Sequence, residues 1–148
     1  MIEYTVQVYS NGTKKWYLNG KYHREDGPAV EYSDGTKRWC LNGKRHREDG
    51  PAIEYPDGKQ WYLNDQLHRE DGPAIEYSNG SKCWYLNGKR HREDGPACEW
   101  FGGSKSWYLN GKRVTEEEHR QRTQPQPTCD GKTVEIDGKT YVLTLKED

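Results

Sequence analysis

The segment Tyr9–Glu31 reads YSNGTKKWYLNGKYHREDGPAVE, and it recurs almost unchanged along the chain. Later copies begin at Tyr32, Tyr55, Tyr77 and Trp100, at intervals of 23, 23, 22 and 23 residues. The fifth copy ends at Arg113, before the HREDGPA segment. Self-similarity at such a period is the signature of a repeat architecture, so residues 9–113 are predicted to form five repeats.

Each copy contains two strand-like pieces separated by turn signals. Lys-x-Trp-Tyr-Leu is rich in aromatic residues and is followed by Asn-Gly, the strongest short hairpin signal. Ala-Val/Ile-Glu-Tyr is followed by Asp-Gly or Asn-Gly, and Asp-Gly-Pro lies between the two pieces. No window within the repeats has helical periodicity. We therefore predict an all-β fold, an elongated antiparallel meander of about five hairpin repeats of 22–23 residues.

Alternation along a strand assigns side chains to faces. Trp16 and Leu18 point one way and Tyr17 the other, while Val30 and Tyr32 share a face on the second piece. The economical arrangement places Trp, Leu, Val/Ile and Tyr in one ladder. The expected repeat core is Trp16, Trp39, Trp61, Trp84, Trp107, Leu18, Leu41, Leu63, Leu86 and Leu109.

The composition agrees with such a thin core. Leu, Ile, Val and Phe together make up only about 13% of the 148 residues, but the chain has 6 Trp and 11 Tyr. Its 23 basic and 24 acidic residues give a net charge of -1, which disfavours simple disorder and gives no general case for nucleic acid or an acidic membrane surface. No apolar run is long enough to cross a membrane. The first residues have no secretion signal, so we expect a cytoplasmic protein.

The repeat resembles the MORN repeat. The residues that carry the resemblance are Trp39, the run Asn42-Gly43-Lys44-Arg45-His46 and the run Tyr55-Pro56-Asp57-Gly58. The chain is most similar to the MORN-variant repeats of bacteria and phages, a group that includes predicted antitoxins. One departure is that Arg47-Glu48-Asp49-Gly50-Pro51 replaces the Gly-x-Gly of that family. Trp-Tyr-Leu-Asn-Gly is also similar to the choline-binding repeats of exported bacterial surface proteins, which we rank second.

The two ends of the chain differ from the repeats. Residues 1–8 alternate and are expected to form a strand that caps the first edge of the meander. Residues 114–122 contain a capping box and are expected to form a short capping helix. Residues 123–128 are a predicted linker, and residues 129–148 a predicted hairpin. Because a lone hairpin is marginally stable, this tail is a candidate for homo-oligomer formation.

The repeated HREDGPA segment combines a base, two acids and a cation. Its four copies lie about 10 Å apart along the sheet, so their histidines cannot converge on one metal ion. We therefore expect no catalytic residue, no metal site and no cofactor. His23 is expected to cap a turn, Arg24 to pair with Glu25 or Asp26 of its own or the adjacent unit, and Gly27 to supply a positive φ. A repeated binding surface is the alternative.

The cysteines show no disulfide or zinc framework. Cys40, Cys83, Cys98 and Cys129 occupy unrelated positions of the repeat and its tail, without a Cys-x-x-Cys pair. The assigned faces place Cys83 and Cys98 on opposite sides of the sheet. We therefore expect free thiols in a reducing compartment.

Positions that vary between copies, or that carry Tyr and Arg opposite the Trp ladder, are the candidate partner-binding residues. They are Tyr17, Arg38, Tyr62, Tyr85, Tyr108, Arg45, Arg90 and Arg113. A Lys and Arg stripe also recurs in each copy, but Glu accompanies it, so we expect solvated charge and not nucleic-acid binding.

These features predict a non-enzymatic repeat scaffold that binds a host or cognate protein. The resemblance implies an antitoxin-like neutraliser or a phage inhibitor of a host defence factor. The alternative is small-ligand capture of a nucleotide signal, choline or a sugar in aromatic grooves between repeats.

Overall fold

The computed structural model describes residues 2–124 and 131–144. Within these ranges it contains one helix, α1 (Glu116–Thr123), and twenty short strands. The strands are β1 (Tyr4–Val8), β2 (Lys14–Leu18), β3 (Lys21–Tyr22), β4 (Val30–Glu31), β5 (Lys37–Arg38), β6 (Cys40–Leu41), β7 (Lys44–Arg45), β8 (Ile53–Tyr55), β9 (Gly58–Gln60), β10 (Tyr62–Leu63), β11 (Gln66–Leu67), β12 (Ile75–Tyr77), β13 (Lys82–Cys83), β14 (Tyr85–Leu86), β15 (Lys89–Arg90), β16 (Cys98–Glu99), β17 (Lys105–Leu109), β18 (Lys112–Val114), β19 (Thr133–Ile136) and β20 (Lys139–Val142).

One antiparallel sheet runs through all five repeats. Its order is β1-β2-β4-β5-β8-β9-β12-β13-β16-β17-β18, with β3 paired to β2. The pairs β6–β7, β10–β11 and β14–β15 form small sheets of their own. Apart from these strands and β3, neighbours in the long sheet follow one another in the sequence. The predicted all-β antiparallel meander of hairpin repeats, with a short helix and a separate C-terminal hairpin, is therefore confirmed.

Each central repeat contains two hairpins rather than one. In the second repeat, strand pairing stops at Trp39, and β6 then pairs with β7 in a small sheet of its own. Asn42 and Gly43 connect these strands with φ values of 50° and 82°, the backbone conformation of a type I′ turn. The break at Trp39 separates the second hairpin from the ladder of the long sheet.

Backbone hydrogen bonds join the small hairpins of successive repeats. Gly43 N–H donates to Tyr22 O over 2.8 Å, and Arg24 N–H donates to Cys40 O over 3.1 Å. Equivalent bonds join the later repeats, for example from Gly88 N–H to Leu67 O over 2.8 Å. Each repeat is therefore held by its nearest neighbours, as expected for a solenoid-like array.

The core lies on the face opposite the one predicted. Val30 pairs with Lys15 and Arg38, so it shares a face with the Lys15–Tyr17 side of β2 and not with Trp16. The buried apolar residues are Ala29, Val30, Cys40, Ala52, Ile53, Tyr62, Ala74, Cys83, Ala97, Cys98 and Val114.

The predicted Trp and Leu core is therefore wrong as a description of the buried interior. All five Trp and all five Leu side chains of that set are half-buried. The prediction placed the largest apolar side chains together. The strand register instead places Val30 opposite Lys15 and Ile53 opposite Arg38, on the face that also carries Tyr17. What covers the Trp rings is described in the next subsection.

The ends of the chain follow the expected pattern with small shifts. β1 pairs with β2 along its whole length. Thr115 is the N-cap of α1, where Thr115 N–H donates to Glu118 Oε2 over 2.9 Å and Glu118 N–H donates to Thr115 Oγ1 over 3.1 Å. Thr123, assigned to the linker, is the last residue of this helix. The rest of the predicted linker, residues 124–128, lies outside the described residues except for Gln124, the C-cap.

The prediction for Cys83 and Cys98 is also wrong. The two residues are direct partners across β13 and β16, on one face of the sheet, and a disulfide joins them. The error follows from the face assignment, because Cys98 occupies the Val/Ile position and Cys83 the variable position that faces it. Cys40 is a free and buried thiol. Cys129 lies outside the described residues.

Cys40 is expected to resist alkylation in the folded protein. Burial raises the pKa of the Cys40 thiol to about 11, so the reactive thiolate is scarce at pH 8. In a Cys129→Ser variant, iodoacetamide at pH 8 should leave the native chain unlabelled and add one label after unfolding without reductant. Intact-protein mass spectrometry measures both. Rapid labelling of the folded chain would contradict the burial of Cys40.

Candidate partner-binding surface

An arginine covers the Trp ring of its own repeat. The Arg24 Cζ lies 4.2 Å from the centre of the Trp16 ring. The same pair recurs at 4.1 Å, 4.1 Å and 3.8 Å in the next three repeats, as Arg47–Trp39, Arg69–Trp61 and Arg92–Trp84. The guanidinium group thus supplies cation–π contact and shields one ring face from water. In these four repeats the arginine therefore supplies part of the burial of the Trp side chain, which is half-buried.

The same arginine organises the HREDGPA loop. Arg69 Nε donates to Asp71 Oδ1 over 2.8 Å, and Arg69 Nη1 donates to Pro73 O over 3.2 Å and to Glu76 Oε1 over 3.0 Å. Matching bonds occur in the other three intact copies. Of the predicted acidic partners, the one that the arginine binds is the Asp of its own loop. The bonds to the proline carbonyl and to the strand glutamate were not predicted.

The glycine of this loop has a different role from the one predicted. Its φ is not positive in any of the four intact copies, so the prediction for Gly27 is wrong. A Cβ on Gly27 would instead lie 2.9 Å from the Arg24 Cζ, and one on Gly50 would lie 3.0 Å from the Arg47 Cζ. A side chain at this position would displace the guanidinium group, which packs directly against the glycine backbone.

The histidines connect one repeat to the next. His23 Nδ1 accepts from the Asn42 N–H over 3.0 Å, at the start of the Asn-Gly turn in the following repeat. His46, His68 and His91 make the same bond over 3.1, 3.0 and 2.9 Å. The expected turn-capping role is confirmed, and the capped turn belongs to the neighbouring unit. The Nε2 atom faces a glutamate of its own loop, at 3.7 Å from Glu25 in the first copy.

Successive loops leave a row of grooves on the Trp face. Each central groove has a Trp and a Leu as its floor and two consecutive HREDGPA loops as its walls. Their cavity volumes are about 770, 720 and 390 Å³, over Trp39 and Leu41, Trp61 and Leu63, and Trp84 and Leu86. Similar clefts lie beside Trp16, against β1, and beside Trp107, against α1. The grooves therefore recur once per repeat.

The rims of the grooves are acidic. Each loop presents a Glu and an Asp to solvent, with side chains between 78% and 86% exposed. The Asp already accepts from the loop arginine, whereas the Glu faces only the histidine. These eight carboxylates are Glu25, Asp26, Glu48, Asp49, Glu70, Asp71, Glu93 and Asp94. Sequence reasoning treated them as loop structure, although their recurrence as an adjacent pair was visible.

The recurrent lysines each lie opposite a glutamate in the sheet. Lysines and glutamates alternate as direct cross-strand partners from β2 to β17. The ladder runs Lys14, Glu31, Lys37, Glu54, Lys59, Glu76, Lys82, Glu99, Lys105. Opposite charges in this register stabilise the pairing and leave no continuous basic stripe.

The predicted Tyr and Arg surface is largely occupied by contacts within the chain. Tyr62 is buried, and burial raises the pKa of its hydroxyl, so its assignment to an exposed binding surface is wrong. Arg45 lies 4.1 Å from the Tyr62 ring and donates to Asp65 over 2.7 Å. Tyr17 stacks on Tyr22 with ring centres 5.0 Å apart.

Most of the remaining residues of that set also make contacts within the chain, and one of them is exposed. Arg90 donates to the hydroxyls of Tyr85 and Tyr108, over 2.9 Å and 3.2 Å. Arg38 is half-buried, 5.7 Å from the Tyr32 ring. Arg113 is exposed. The structure thus brings Tyr85, Tyr108 and Arg90 together as an inter-repeat contact.

The loop aspartates make the fold sensitive to acid. Hydrogen bonds from Arg47, Arg69 and Arg92 hold the pKa of Asp49, Asp71 and Asp94 below the usual value of 3.8. These carboxylates therefore stabilise the fold above about pH 4, and that contribution is lost as the pH falls through their lower folded-state pKa.

We expect the urea midpoint, followed by Trp fluorescence, to fall as the pH drops below 4. A variant with Asn at all three aspartates should be less stable at pH 6 but should show a shallower drop between pH 4 and pH 2. An unchanged slope would contradict this assignment.

No known family model matches the chain, and comparison with curated proteins finds no matching relative. The strand topology defines the chain as an all-β hairpin-repeat protein. Within residues 2–124 and 131–144, no helix has the length and apolar character needed to cross a bilayer. In the same ranges, no three His, Cys, Asp or Glu side chains are grouped so that they could hold a metal ion.

Proposed function

We propose that this protein is a non-enzymatic repeat scaffold that binds an extended, basic segment of a partner protein and thereby inhibits it. The observation that carries the proposal is the row of equivalent grooves, each with a Trp and Leu floor and a rim of exposed carboxylates. Four nearly equal copies of one loop are suited to repeated binding and not to a single active site.

The spacing of the grooves favours one kind of segment. Two sheet strands per repeat place successive grooves about 10 Å apart. A polyproline II helix has three residues per turn and rises about 9 Å per turn. A segment in that conformation would therefore present every third side chain to the same face, one to each groove. Its fixed conformation also lowers the entropy lost on binding.

The charge of the rims favours cationic side chains. Arg47 and Asp49 offset each other as an ion pair, so the net charge of this loop is that of Glu48, whose side chain is 86% exposed. An Arg or Lys of the partner could meet this carboxylate at the rim while its aliphatic stem packs on the Trp and Leu floor. Each contact is weak by itself, and several linked contacts raise the overall affinity.

The similarity of the repeat to MORN-variant proteins supports a narrower form of the proposal. In that form the protein is an antitoxin-like neutraliser, or a phage inhibitor of a host defence factor, in the cytoplasm of a bacterial host. Steric occlusion of the partner by the grooved face would be the mechanism.

Small-ligand capture is the second candidate function. The groove volumes, from about 390 to 770 Å³, fall in the range of small-molecule sites, and each floor is aromatic. This alternative predicts several equivalent small-molecule sites per chain in a calorimetric titration with a nucleotide, choline or a sugar. Binding of a protein segment predicts one copy per chain.

Two peptides of equal composition test the proposed function. Both carry four Arg in a Pro-rich background, one with Arg at every third residue and the other with Arg at every second residue. We expect the first to bind about tenfold more tightly, because only its Arg spacing matches the grooves. Fluorescence anisotropy at about 150 mM salt measures both affinities.

Matched charge variants complete this test. Glu48→Gln with Glu70→Gln should weaken the period-three peptide about tenfold. Asp57→Asn with Glu135→Gln removes the same charge from exposed positions away from the grooves and should have little effect. Equal affinity for both peptides, or equal loss in both double variants, would show non-specific attraction and overturn the proposal.

A further inference from the structure

We propose that the first strand of the sheet is a self-association edge, through which two copies of this chain form an antiparallel β1–β1′ dimer. β1 is one terminus of the long sheet, and β2 pairs with only one of its sides. This proposal does not rest on the partner segment or on the three central grooves, although Tyr4 and Val6 also line the cleft beside Trp16.

The open side of β1 carries a regular set of unpaired backbone groups. Glu3 O accepts from Asn19 N–H over 3.0 Å, and Tyr9 N–H donates to Thr13 O over 2.9 Å, so the odd-numbered residues bond towards β2. In an antiparallel ladder the intervening residues point their N–H and C=O groups the other way. Tyr4, Val6 and Val8 therefore present three donors and three acceptors to the open edge.

The side chains of these residues are also unprotected. Tyr4, Val6 and Val8 are 69%, 53% and 68% exposed, and the strand contains no charge, proline or bulge. Those are the devices by which natural edge strands avoid pairing with other chains. The opposite terminus of the sheet is different, because β18 carries Lys112 and Arg113 and leads directly into α1.

The pattern is self-complementary about Val6. A two-fold axis at Val6 places Tyr4 opposite Val8 of a second copy, and Val6 opposite its own counterpart. All six outward backbone groups of each strand then find partners, and the apolar side chains of both strands form one continuous row. Among the described residues only one terminus of the long sheet is open in this way, so association through it stops at two chains.

Charge complementarity favours a second copy as the occupant. In the same register Glu3 lies opposite Tyr9 of the second copy. The Lys15 ammonium group lies over the Tyr9 ring, 4.8 Å from its centre. Each Glu3 carboxylate would thus meet the Lys15 ammonium group of the other chain, and the symmetry makes this pair twice.

Sedimentation equilibrium of the full chain tests the proposal. We expect twice the 17.3 kDa chain mass at tens of micromolar concentration, and a monomer for Val6→Lys, which places two like charges on the axis. Val6→Pro should also give a monomer, because it removes an outward N–H while leaving the bonds to β2 intact. Unchanged far-UV circular dichroism shows that these variants remain folded.

Exchanging the charges of Glu3 and Lys15, and changing a residue of the β19–β20 hairpin, distinguish the β1–β1′ dimer from association through another part of the chain. Glu3→Lys and Lys15→Glu should each weaken the dimer about tenfold, and the double variant should restore it. Ile136→Lys, at an exposed position of the β19–β20 hairpin, should leave the dimer unchanged. A monomeric wild-type chain, a dimer lost only in Ile136→Lys, or no recovery in the double variant would overturn the proposal.

Discussion

Replacing Ile53 with alanine should lower the free energy of unfolding by about 2–5 kcal/mol. Ile53 is only 2% exposed and belongs to a buried cluster with Ala52 and Tyr62, against which Leu67 packs. Removing three carbons there leaves a cavity in a small core cluster. Few neighbouring side chains can move in to fill that cavity. Urea denaturation followed by Trp fluorescence measures the change.

Leu63→Ala is the matched control for this prediction. Leu63 lies on the groove floor and is half-buried, so its truncation should cost only about 1 kcal/mol. If Leu63→Ala cost as much as Ile53→Ala, the Trp and Leu face would be the true core. The comparison thus tests which face of the sheet carries the stability of the array.

Replacing Arg69 with alanine should cost about 2–3 kcal/mol, a large effect for a side chain that reaches the surface. The substitution uncovers one face of the Trp61 ring and removes the donors that now serve Asp71, Pro73 and Glu76. Because the same loop forms a wall of two grooves, the damage should extend to both of them. Urea denaturation gives the stability change.

Two further variants separate the causes. Arg69→Lys keeps the charge but lacks the planar fork, so most of the loss should remain. Arg113→Ala removes an exposed arginine and should change stability by less than about 0.5 kcal/mol. In Arg69→Ala the pKa of Asp71, measured by NMR, should also rise towards its usual value of 3.8. An unshifted Asp71 would contradict the role assigned to the guanidinium group.

The sequence predicted only part of the candidate partner-binding surface. The pairing of Arg24 with Asp26 followed from local chemistry, because the two residues are two positions apart. The turn-capping role of His23 followed because Asn-Gly turns recur along the chain. The stacking of Arg24 on Trp16 did not follow, because it depends on how the loop folds back over the sheet. The disulfide between Cys83 and Cys98 was missed for a related reason, since it requires the strand register.

The sequence by itself determined the number of repeats, their antiparallel order and the positions of their turns. Asn-Gly and Asp-Gly specify turns through local backbone preferences, and near-identical copies must pack on one another in the same way. Only the tertiary structure decided which face is buried. Alternation gives two equivalent choices for each strand, and the register of the long sheet selects between them by pairing Val30 with Lys15. Arginine stacking then shields the Trp rings on the other face, so they form a grooved surface instead of the interior.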